Sequence, residues 1–348
     1  MRIAVLGATG VVGQEILAVL EQRQFPVTML RPLASARSAG KTITFRGKQI
    51  TIELAGPDSF GGLDLVLASA GATATKELAP AIRKSGAILI DNSSAFRMDA
   101  DVPLVVPEVN PEALANHRGV IANPNCVAII LTVAVAPIHR AVGIRRVVVS
   151  TYQSASGAGL AAMLELQSQT REVLDGGEPM PKALPHPIAF NVFSHNTKIG
   201  PEGYNGEETK VMLETRKILS APELAITATC VRVPVLRAHT ESINLTLQQP
   251  LTPERARALL AAAPGIEIVD DREGNLFPMP KLATGRDAVY VGRIRRDLSQ
   301  PEGLGLELFV CGDQLRKGAA LNAVQIAELL AGTGSMKARS VSSEVGAG

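Results

Sequence analysis

Short apolar runs alternate with stretches of helical periodicity over the first third of the chain. Residues 3–6 form an unbroken apolar run, the pattern of a parallel strand buried on both faces. The run enters Gly7-Ala8-Thr9-Gly10-Val11-Val12-Gly13, after which Val12, Ile16, Val19 and Leu20 recur at the spacing of one helix face. A second strand is predicted at 27–30, a third at 63–68, a helix at 72–85 with Gly86 as its stop, and a strand at 87–91. That alternation predicts a doubly wound parallel sheet over about the first 125 residues. The pattern then changes. A long apolar helix is expected at 127–138, a β-branched strand at 145–151 and a helix at 160–174. Residues 176–206, rich in Gly, Pro, His and Asn, read as an ordered irregular connection. An amphipathic helix at 207–219 follows, then strands at 225–235, 241–248, 266–270, 288–294 and 305–311, with a helix at 253–263 among them. Mostly antiparallel strands with interspersed helices predict an α+β second domain. A last helix is expected at 319–330, and the Gly-, Ser- and Ala-rich tail 332–348 is expected to be disordered. The predicted division is 1–127, joined by about 319–331, against 128–318.

Composition narrows the functional classes. Hydrophobic residues make up 46% of the 348, enough for a sizeable core. Net charge is +2, which argues against a nucleic-acid binder with its concentrated basic face. Mean hydropathy is high at +0.17. Even so, the longest apolar stretch, 127–138, is broken by Thr132 and falls short of a membrane span. No signal peptide is read at the N-terminus. Three widely spaced cysteines exclude a disulfide scaffold and fit a reducing cytoplasm. With no Trp and 3% aromatic residues, a base-stacking surface is not expected. No His, Cys or Asp cluster has metal-ligand spacing, so no metal is expected.

The candidate chemistry begins at the glycine turn. A strand that ends in Gly7, Gly10 and Gly13 and opens a helix offers free backbone N–H groups to a pyrophosphate. An acid after the second strand would hold a ribose 2′-hydroxyl. This chain has Arg31 there and then Ser35-Ala36-Arg37-Ser38, where a cation and a hydroxyl suit a 2′-phosphate and hence NADP. Arg31 itself reads as a surface cation. Cys126, in Asn123-Pro124-Asn125-Cys126, directly precedes the apolar helix. Two readings stand from the residues alone. The helix dipole lowers the thiol pKa and makes a nucleophile, or Cys126 is a small buried hydrophobe. Cys230 and Cys311 lie inside strand-like runs and read as structural.

Ordered motifs along the chain resemble the bacterial type of aspartate-semialdehyde dehydrogenase. They are the turn at 7–13, Ser-Ala-Arg-Ser-Ala-Gly at 35–40, Asn-Ser-Ser-Ala-Phe-Arg at 92–97 and Val-Pro-Glu-Val-Asn at 106–110. Asn-Pro-Asn-Cys at 123–126, Tyr-Gln-Ser-Ala-Ser-Gly-Ala-Gly at 152–159, Glu-Glu-Thr-Lys at 207–210 and Arg-Val-Pro-Val at 232–235 continue the series. Tyr-Val-Gly-Arg-Ile-Arg-Arg-Asp at 290–297 and Asp-Gln-Leu-Arg-Lys-Gly-Ala-Ala at 313–320 close it. The resemblance covers residues 1 to about 330. It implies a Rossmann-like NADP-binding domain followed by an α+β catalytic and dimerisation domain, in a cytoplasmic homodimer or tetramer. It also implies NADPH-dependent reductive dephosphorylation of L-aspartyl-4-phosphate, on the route to lysine, threonine, methionine and diaminopimelate.

By the same resemblance Cys126 forms an acyl-thioester and His239 is the acid/base. Arg232 grips the substrate α-carboxylate, Glu207 faces its amine and Gln153 orients the acyl group. Lys210 and Arg97 bind phosphate. From the residues alone, Glu207, Lys210, Glu214 and Lys217 read equally as a solvated ion-pair row on one helix face. The cofactor residues are Gly7, Thr9, Gly10, Val11, Val12, Arg37, Ser38, Ser156, Gly157 and Gln314. The family more often has Gly-His-Ser where this chain has Ala238-His239-Thr240, and Asp-Asn where it has Asp313-Gln314. His117, His139, His186 and His195 match no functional position and read as surface or loop residues. The sister enzyme N-acetyl-γ-glutamyl-phosphate reductase has a nucleophile motif like Pro-Gly-Cys-Tyr-Pro, whereas this chain reads Pro-Asn-Cys-Val-Ala. A non-catalytic NADP-binding protein is the other alternative, disfavoured by the joint presence of Cys126, Gln153, Arg232 and His239.

Overall fold

Two sheets organise the chain, one wholly parallel and one mixed, in a computed structural model that describes residues 1–332. The tail predicted to be disordered lies, from residue 333 onward, outside the described residues.

The first sheet opens with β1 (Arg2–Leu6), whose Ile3, Ala4, Val5 and Leu6 are all buried. The glycine turn follows, then α1 (Val11–Gln22) and β2 (Met29–Ala34). The second strand thus lies later than predicted and runs through Pro32. The sequence reading also missed a small hairpin, β3 (Thr42–Phe45) and β4 (Lys48–Thr51), and the short β5 (Glu53–Leu54). Then come β6 (Leu65–Ala68), α2 (Ala72–Lys84), β7 (Ile88–Asp91) and a further unpredicted strand, β8 (Val120–Ala122). The order is β5-β2-β1-β6-β7-β8 with every pairing parallel. This is the doubly wound arrangement that buried apolar strands alternating with helices require.

α3 (Cys126–Val142) leaves this sheet immediately after β8. It is apolar almost all round, with Val127 to Ala136 entirely buried, so it forms a shared core and not a surface helix. No helix among the described residues is long and apolar enough to cross a membrane.

The second sheet is built from β9 (Ile144–Gln153), β10 (Phe193–Ser194), β11 (Ala225–Arg232), β12 (His239–Leu247), β13 (Ile266–Ile268), β14 (Val289–Arg296) and β15 (Gly305–Gly312). Its order is β10-β11-β9-β12-β15-β14-β13. It is mixed: β11 pairs parallel to β9, and β13 parallel to β14. The helices are α4 (Leu160–Leu174), α5 (Gly206–Ile218), α6 (Pro253–Ala262) and the short α7 (Pro280–Ala283). After β15 a wide turn of helix, Arg316–Ala320, leads into α8 (Leu321–Leu330). Leu321, Val324 and Ile326 pack with Ile3, Val5 and Ile16, so α8 returns to the first sheet beside α1.

Along β12 the odd positions Ile243, Leu245 and Leu247 face the core that contains α3. Strand alternation puts His239 and Glu241 on that same face. The registers Arg232↔Gln153 and Glu241↔Thr151 then bring the ends of β9, β11 and β12 together at the start of α3.

Candidate active site

A cavity of about 400 Å³ opens where α3 begins, bounded by both sheets. Its walls include Cys126, Arg97, Gln153, Glu207, Lys210 and Arg232, together with Val12 from the glycine turn and Ser156, Gly157 and Gln314. Residues far apart in sequence therefore meet at the N-terminus of α3.

The start of α3 is fixed by Asn125. Its side-chain oxygen accepts from Val127 N at 3.0 Å and Ala128 N at 3.3 Å, two of the free donors at a helix start. Its amide nitrogen donates to Glu207 Oε1 at 2.8 Å, and its backbone N–H to Glu214 Oε2 at 2.6 Å. Cys126 is half-buried at the cavity floor. Its pKa runs against the sequence expectation. Burial, aided by the negative charge of Glu207, pushes the thiol up to about 12, although Arg97, Arg232 and the helix-start N–H of Val127 pull it down. The free thiol is protonated. Cys230 and Cys311 are fully buried in their strands, and burial raises both.

α5 supplies the acid and cation row. Asn205 caps it by accepting from Glu207 N and Glu208 N, while Glu208 reaches back to Asn205 N, a reciprocal capping box. The row is not a solvated ladder. Glu207 is 5% exposed and Glu214 1%. Burial would raise Glu207, but His195, Lys210, the Asn125 hydrogen bond and Arg232 together hold it below the usual carboxylate range. Lys210 Nζ lies 3.4 Å from Glu207 Oε2 and reaches the cavity half-exposed. Glu214 pairs with Arg97 at 3.0 Å, and Arg97 also donates to Asn123 O and Asn92 O. Lys217 donates to the carbonyls of Arg97, Asp99 and Val102, pinning the loop that carries Arg97.

Arg232 ends β11, 3% exposed. Its Nη1 donates to Ser154 O at 3.2 Å, its Nη2 to His195 Nε2 at 2.8 Å, and its Nε has no protein partner. Gln153, 1% exposed, donates to Thr151 Oγ1 at 3.3 Å.

His239 lies behind the cavity wall, not in it. It is fully buried, and the wall between is Gly157, where an added Cβ would stand 3.1 Å from His239 Nε2 and 2.9 Å from Arg232 Nη1. Ser154 N donates to His239 Nδ1 at 3.1 Å, so the network assigns the proton to Nε2, which has no partner. Burial, and then Arg232, lower its pKa to about 3. No hydrogen bond joins it to Cys126. The residue before it, Ala238, is held at φ 74°, a left-handed backbone that favours glycine. Its N–H donates to Gln314 Oε1 at 2.8 Å, and the Gln314 amide nitrogen donates to Ser156 Oγ. Both ends of the Gln314 amide are therefore engaged within the protein.

A second cavity of about 650 Å³ lies on the other side of the glycine turn, lined by Thr9, Arg37, Ser38 and Lys41. Thr9 Oγ1 donates to Ser38 Oγ at 3.3 Å. Arg37 is exposed and makes no ion pair among the described residues. Gly7 sits at φ 85°, and a Cβ on Gly13 would stand 2.2 Å from Gly7 O. Those two glycines are what let the turn close tightly, whereas Gly10 has an ordinary φ of −74°. Thr9 and Val12, on one turn, face different cavities, so an extended dinucleotide with an anionic middle fits across it. Arg31 bonds Ser59 O and approaches Glu53 at 3.6 Å, apart from this cavity.

The sequence reading missed His195, taken as a surface or loop residue. It is 7% exposed, lines the main cavity and touches Arg232. Its only route to Arg232 is the pairing of β10 with β11, a two-residue strand that leaves no periodic signal. His117, His139 and His186 lie away from the cavity. No group of three or more His, Cys, Asp or Glu among the described residues could hold a metal ion.

Comparison with known proteins gives consistent matches. The family described as semialdehyde dehydrogenase, NAD binding domain, matches residues 2–117. Semialdehyde dehydrogenase, dimerisation domain, matches 135–317. The aspartate-semialdehyde dehydrogenase of Synechocystis sp. is 56% identical over 330 residues, covering 95% of this chain and 97% of the relative. The crystal structure of aspartate semialdehyde dehydrogenase II from Vibrio cholerae complexed with ASA is 43% identical, with a TM-score of 0.92, covering 95% of this chain and 98% of that one. An aspartate semialdehyde dehydrogenase from Candida albicans, solved with NADP, is 25% identical, with a TM-score of 0.73 and the same two coverages.

Proposed function

The chain belongs to the aspartate-semialdehyde dehydrogenase family, and on that premise we propose how its residues divide the reaction. The activity is NADPH-dependent reduction of L-aspartyl-4-phosphate to L-aspartate 4-semialdehyde and phosphate, within amino-acid biosynthesis. NADP, when bound, supplies or accepts the hydride. The turn residues Gly7, Thr9, Gly10, Val11 and Val12 would hold its pyrophosphate, and Arg37 and Ser38 its 2′-phosphate. Ser156, Gly157 and Gln314 would border its nicotinamide end. Residues 1–127 with about 319–331 form the cofactor domain, and 128–318 the substrate domain that pairs with a second copy of the chain. The proposed setting is the cytoplasm.

The substrate enters with its α-carboxylate on Arg232, its α-ammonium on Glu207 and its phosphate between Lys210 and Arg97. Gln153 orients the acyl oxygen. The Cys126 sulfur attacks the acyl carbon. The C–S bond forms, the C–O bond to phosphate breaks, and the leaving phosphate, held by the two cations, takes a proton from solvent and departs as a dianion. The thiol proton passes to His239 Nε2 once the imidazole takes its other tautomer, in which Nδ1–H donates to Ser154 Oγ, 3.1 Å away. His239 Nε2–H then hydrogen-bonds the acyl oxygen and protonates it as the thioester carbon is reduced. Collapse of the thiohemiacetal breaks C–S, and the proton returns to sulfur.

The observation that carries this reading is the meeting, in one cavity, of Cys126 with an anionic Glu207 beside two buried guanidinium groups. A buried carboxylate selects a free ammonium and would oppose an acetylated amine, which separates the family from its N-acetyl-γ-glutamyl-phosphate sister. The test is phosphate-dependent NADP reduction with aspartate semialdehyde, run beside N-acetyl-glutamate semialdehyde and beside Cys126→Ala. Turnover with the first aldehyde only, lost in the variant, is expected. Turnover only with the acetylated aldehyde, or equal rates in the variant, would overturn the reading.

A further inference from the structure

A guanidinium as deeply buried as that of Arg232 must be aimed by its acceptors. The backbone supplies one, Ser154 O. The other is His195 Nε2, at 2.8 Å from Nη2. The imidazole is delivered by main-chain pairing: Phe193 faces Arg232, Ser194 faces Val231, and His195 N donates to Cys230 O at 2.8 Å. Arginine has no lone pair to offer, so Nε2 accepts and the proton resides on Nδ1. Nδ1 faces Thr197 Oγ1 at 3.3 Å. The same hydroxyl accepts from Glu207 N at 2.9 Å and donates to Asn205 Oδ1 at 3.4 Å. One tautomer of His195 thus completes a continuous chain of hydrogen bonds from Arg232 Nη2 through Thr197 to the N-terminus of α5. Burial, and then the Arg232 charge, hold the His195 pKa below the ordinary value, which keeps Nε2 free to accept.

We propose that His195 is a positioning residue: it fixes the angle of the Arg232 guanidinium and, through Thr197, ties it to the helix start that carries Glu207. The two groups that read an α-amino-acid terminus, one for carboxylate and one for ammonium, are thereby set at a fixed separation. This rests on the assignment of Arg232 to the substrate α-carboxylate.

The experiment is steady-state kinetics in the phosphate-dependent direction for wild type, His195→Leu, His195→Gln, Arg232→Lys and the double variant His195→Leu/Arg232→Lys, each checked by thermal melting. His195→Leu is expected to raise KM for aspartate semialdehyde by about tenfold or more, since a hydrogen bond to a charged group is lost. Its kcat should change much less, and KM for NADP not at all. His195→Gln, whose amide can accept from Nη2 and donate to Thr197, should recover most of the loss. In the Arg232→Lys background His195→Leu should add less than about twofold, because the two act through one contact. If His195→Leu melts below the assay temperature, His195→Phe takes its place. An unchanged KM in the apolar variant, or its full effect persisting on Arg232→Lys, would overturn the proposal. An unchanged KM in Arg232→Lys would instead remove the α-carboxylate assignment. A raised KM there beside an unchanged one in His195→Leu would leave that assignment standing and sink the positioning role alone.

Discussion

Gly318→Ala puts the geometry at the nucleophile to a quantitative test. Gly318 lies in the wide helical turn Arg316–Ala320, against the start of α3. A methyl group there would stand 2.9 Å from Cys126 Cβ and 3.3 Å from both Cys126 Cα and Gln314 Cβ. Carbon atoms settle at about 3.5–4.0 Å, so something must give by roughly 0.6 Å or more. Cys126 cannot retreat cheaply. Asn125 clamps the helix start, and Val127 and Ala128 behind it are fully buried. Replacing glycine inside a helix gains about 1 kcal/mol, and overpacking a filled site costs about 1–3 kcal/mol. The net stability loss is therefore small, about 0–2 kcal/mol. The catalytic loss is not, because a misplacement near 1 Å can cost about a hundredfold. Phosphate-dependent NADP reduction should show kcat reduced about ten- to a hundredfold, with KM for NADP near wild type and a melting temperature lower by a few degrees. A kcat within about twofold of wild type would refute the claim that Gly318 is required to seat the thiol.

Arg37→Glu should raise KM for NADP by about tenfold or more while leaving any turnover with NAD little changed; equal NADP affinity in the two proteins would remove Arg37 from the 2′-phosphate. Glu241 is fully buried with neither carboxylate oxygen partnered, and burial holds its pKa well above the ordinary value. An acid raised on folding contributes stability fully below its unfolded pKa, near 4.3, and loses it as pH rises toward the folded value, at about 1.4 kcal/mol per pH unit. Glu241→Gln should therefore melt progressively higher than wild type between about pH 5 and pH 7, and parallel melting curves would show that the carboxyl is not neutral in the fold. Iodoacetamide should inactivate the free enzyme at a rate that climbs with pH through about pH 9, since only the thiolate reacts; a plateau below about pH 8 would contradict a thiol pushed up to about 12.

What was legible in the sequence follows from how locally each feature is encoded. Buried parallel strands such as Arg2–Leu6 and Leu65–Ala68 announce themselves as apolar runs, and α4 is bounded as its pattern predicts. Pro32 misled the placement of β2, because proline reads as a stop. The strand continues since Leu33 and Ala34 are buried and Leu33 O accepts from both Gly7 N and Ala8 N. Residues 42–54 were missed because their strands are short and half polar. The mixed second sheet was only partly legible: strand direction is set by long-range pairing, and nothing in residues 225–232 says that they run parallel to β9. At the site, motif order located the cavity residues, but the partners that hold them were hidden. Glu214 looked like one rung of a surface ladder and is the buried counter-charge of Arg97. His195 had no local signature at all.

The Cys126 thiol shows why a sound local rule can lose. The helix start favours a thiolate by up to about 2 kcal/mol even in a favourable, partly buried setting. Against it, the rise from 9.0 to about 12 corresponds to on the order of 4 kcal/mol, led by desolvation and reinforced by Glu207. The dipole is present, yet it is outweighed because the same burial that orders the nucleophile also strips it of water. Glu207 cannot be dispensed with on that account, since its charge faces the position assigned to the substrate ammonium. An incoming ammonium would neutralise the carboxylate that opposes thiolate formation, whereas an incoming phosphate would occupy the cations that favour it. The two ends of the substrate therefore act on the thiol in opposite senses. The proposed role of His239 would tip the balance: Ser154 N–H donates to its Nδ1 in one tautomer, and Ser154 Oγ accepts from Nδ1–H in the other. On that proposal the thiol is deprotonated in the course of attack and not beforehand.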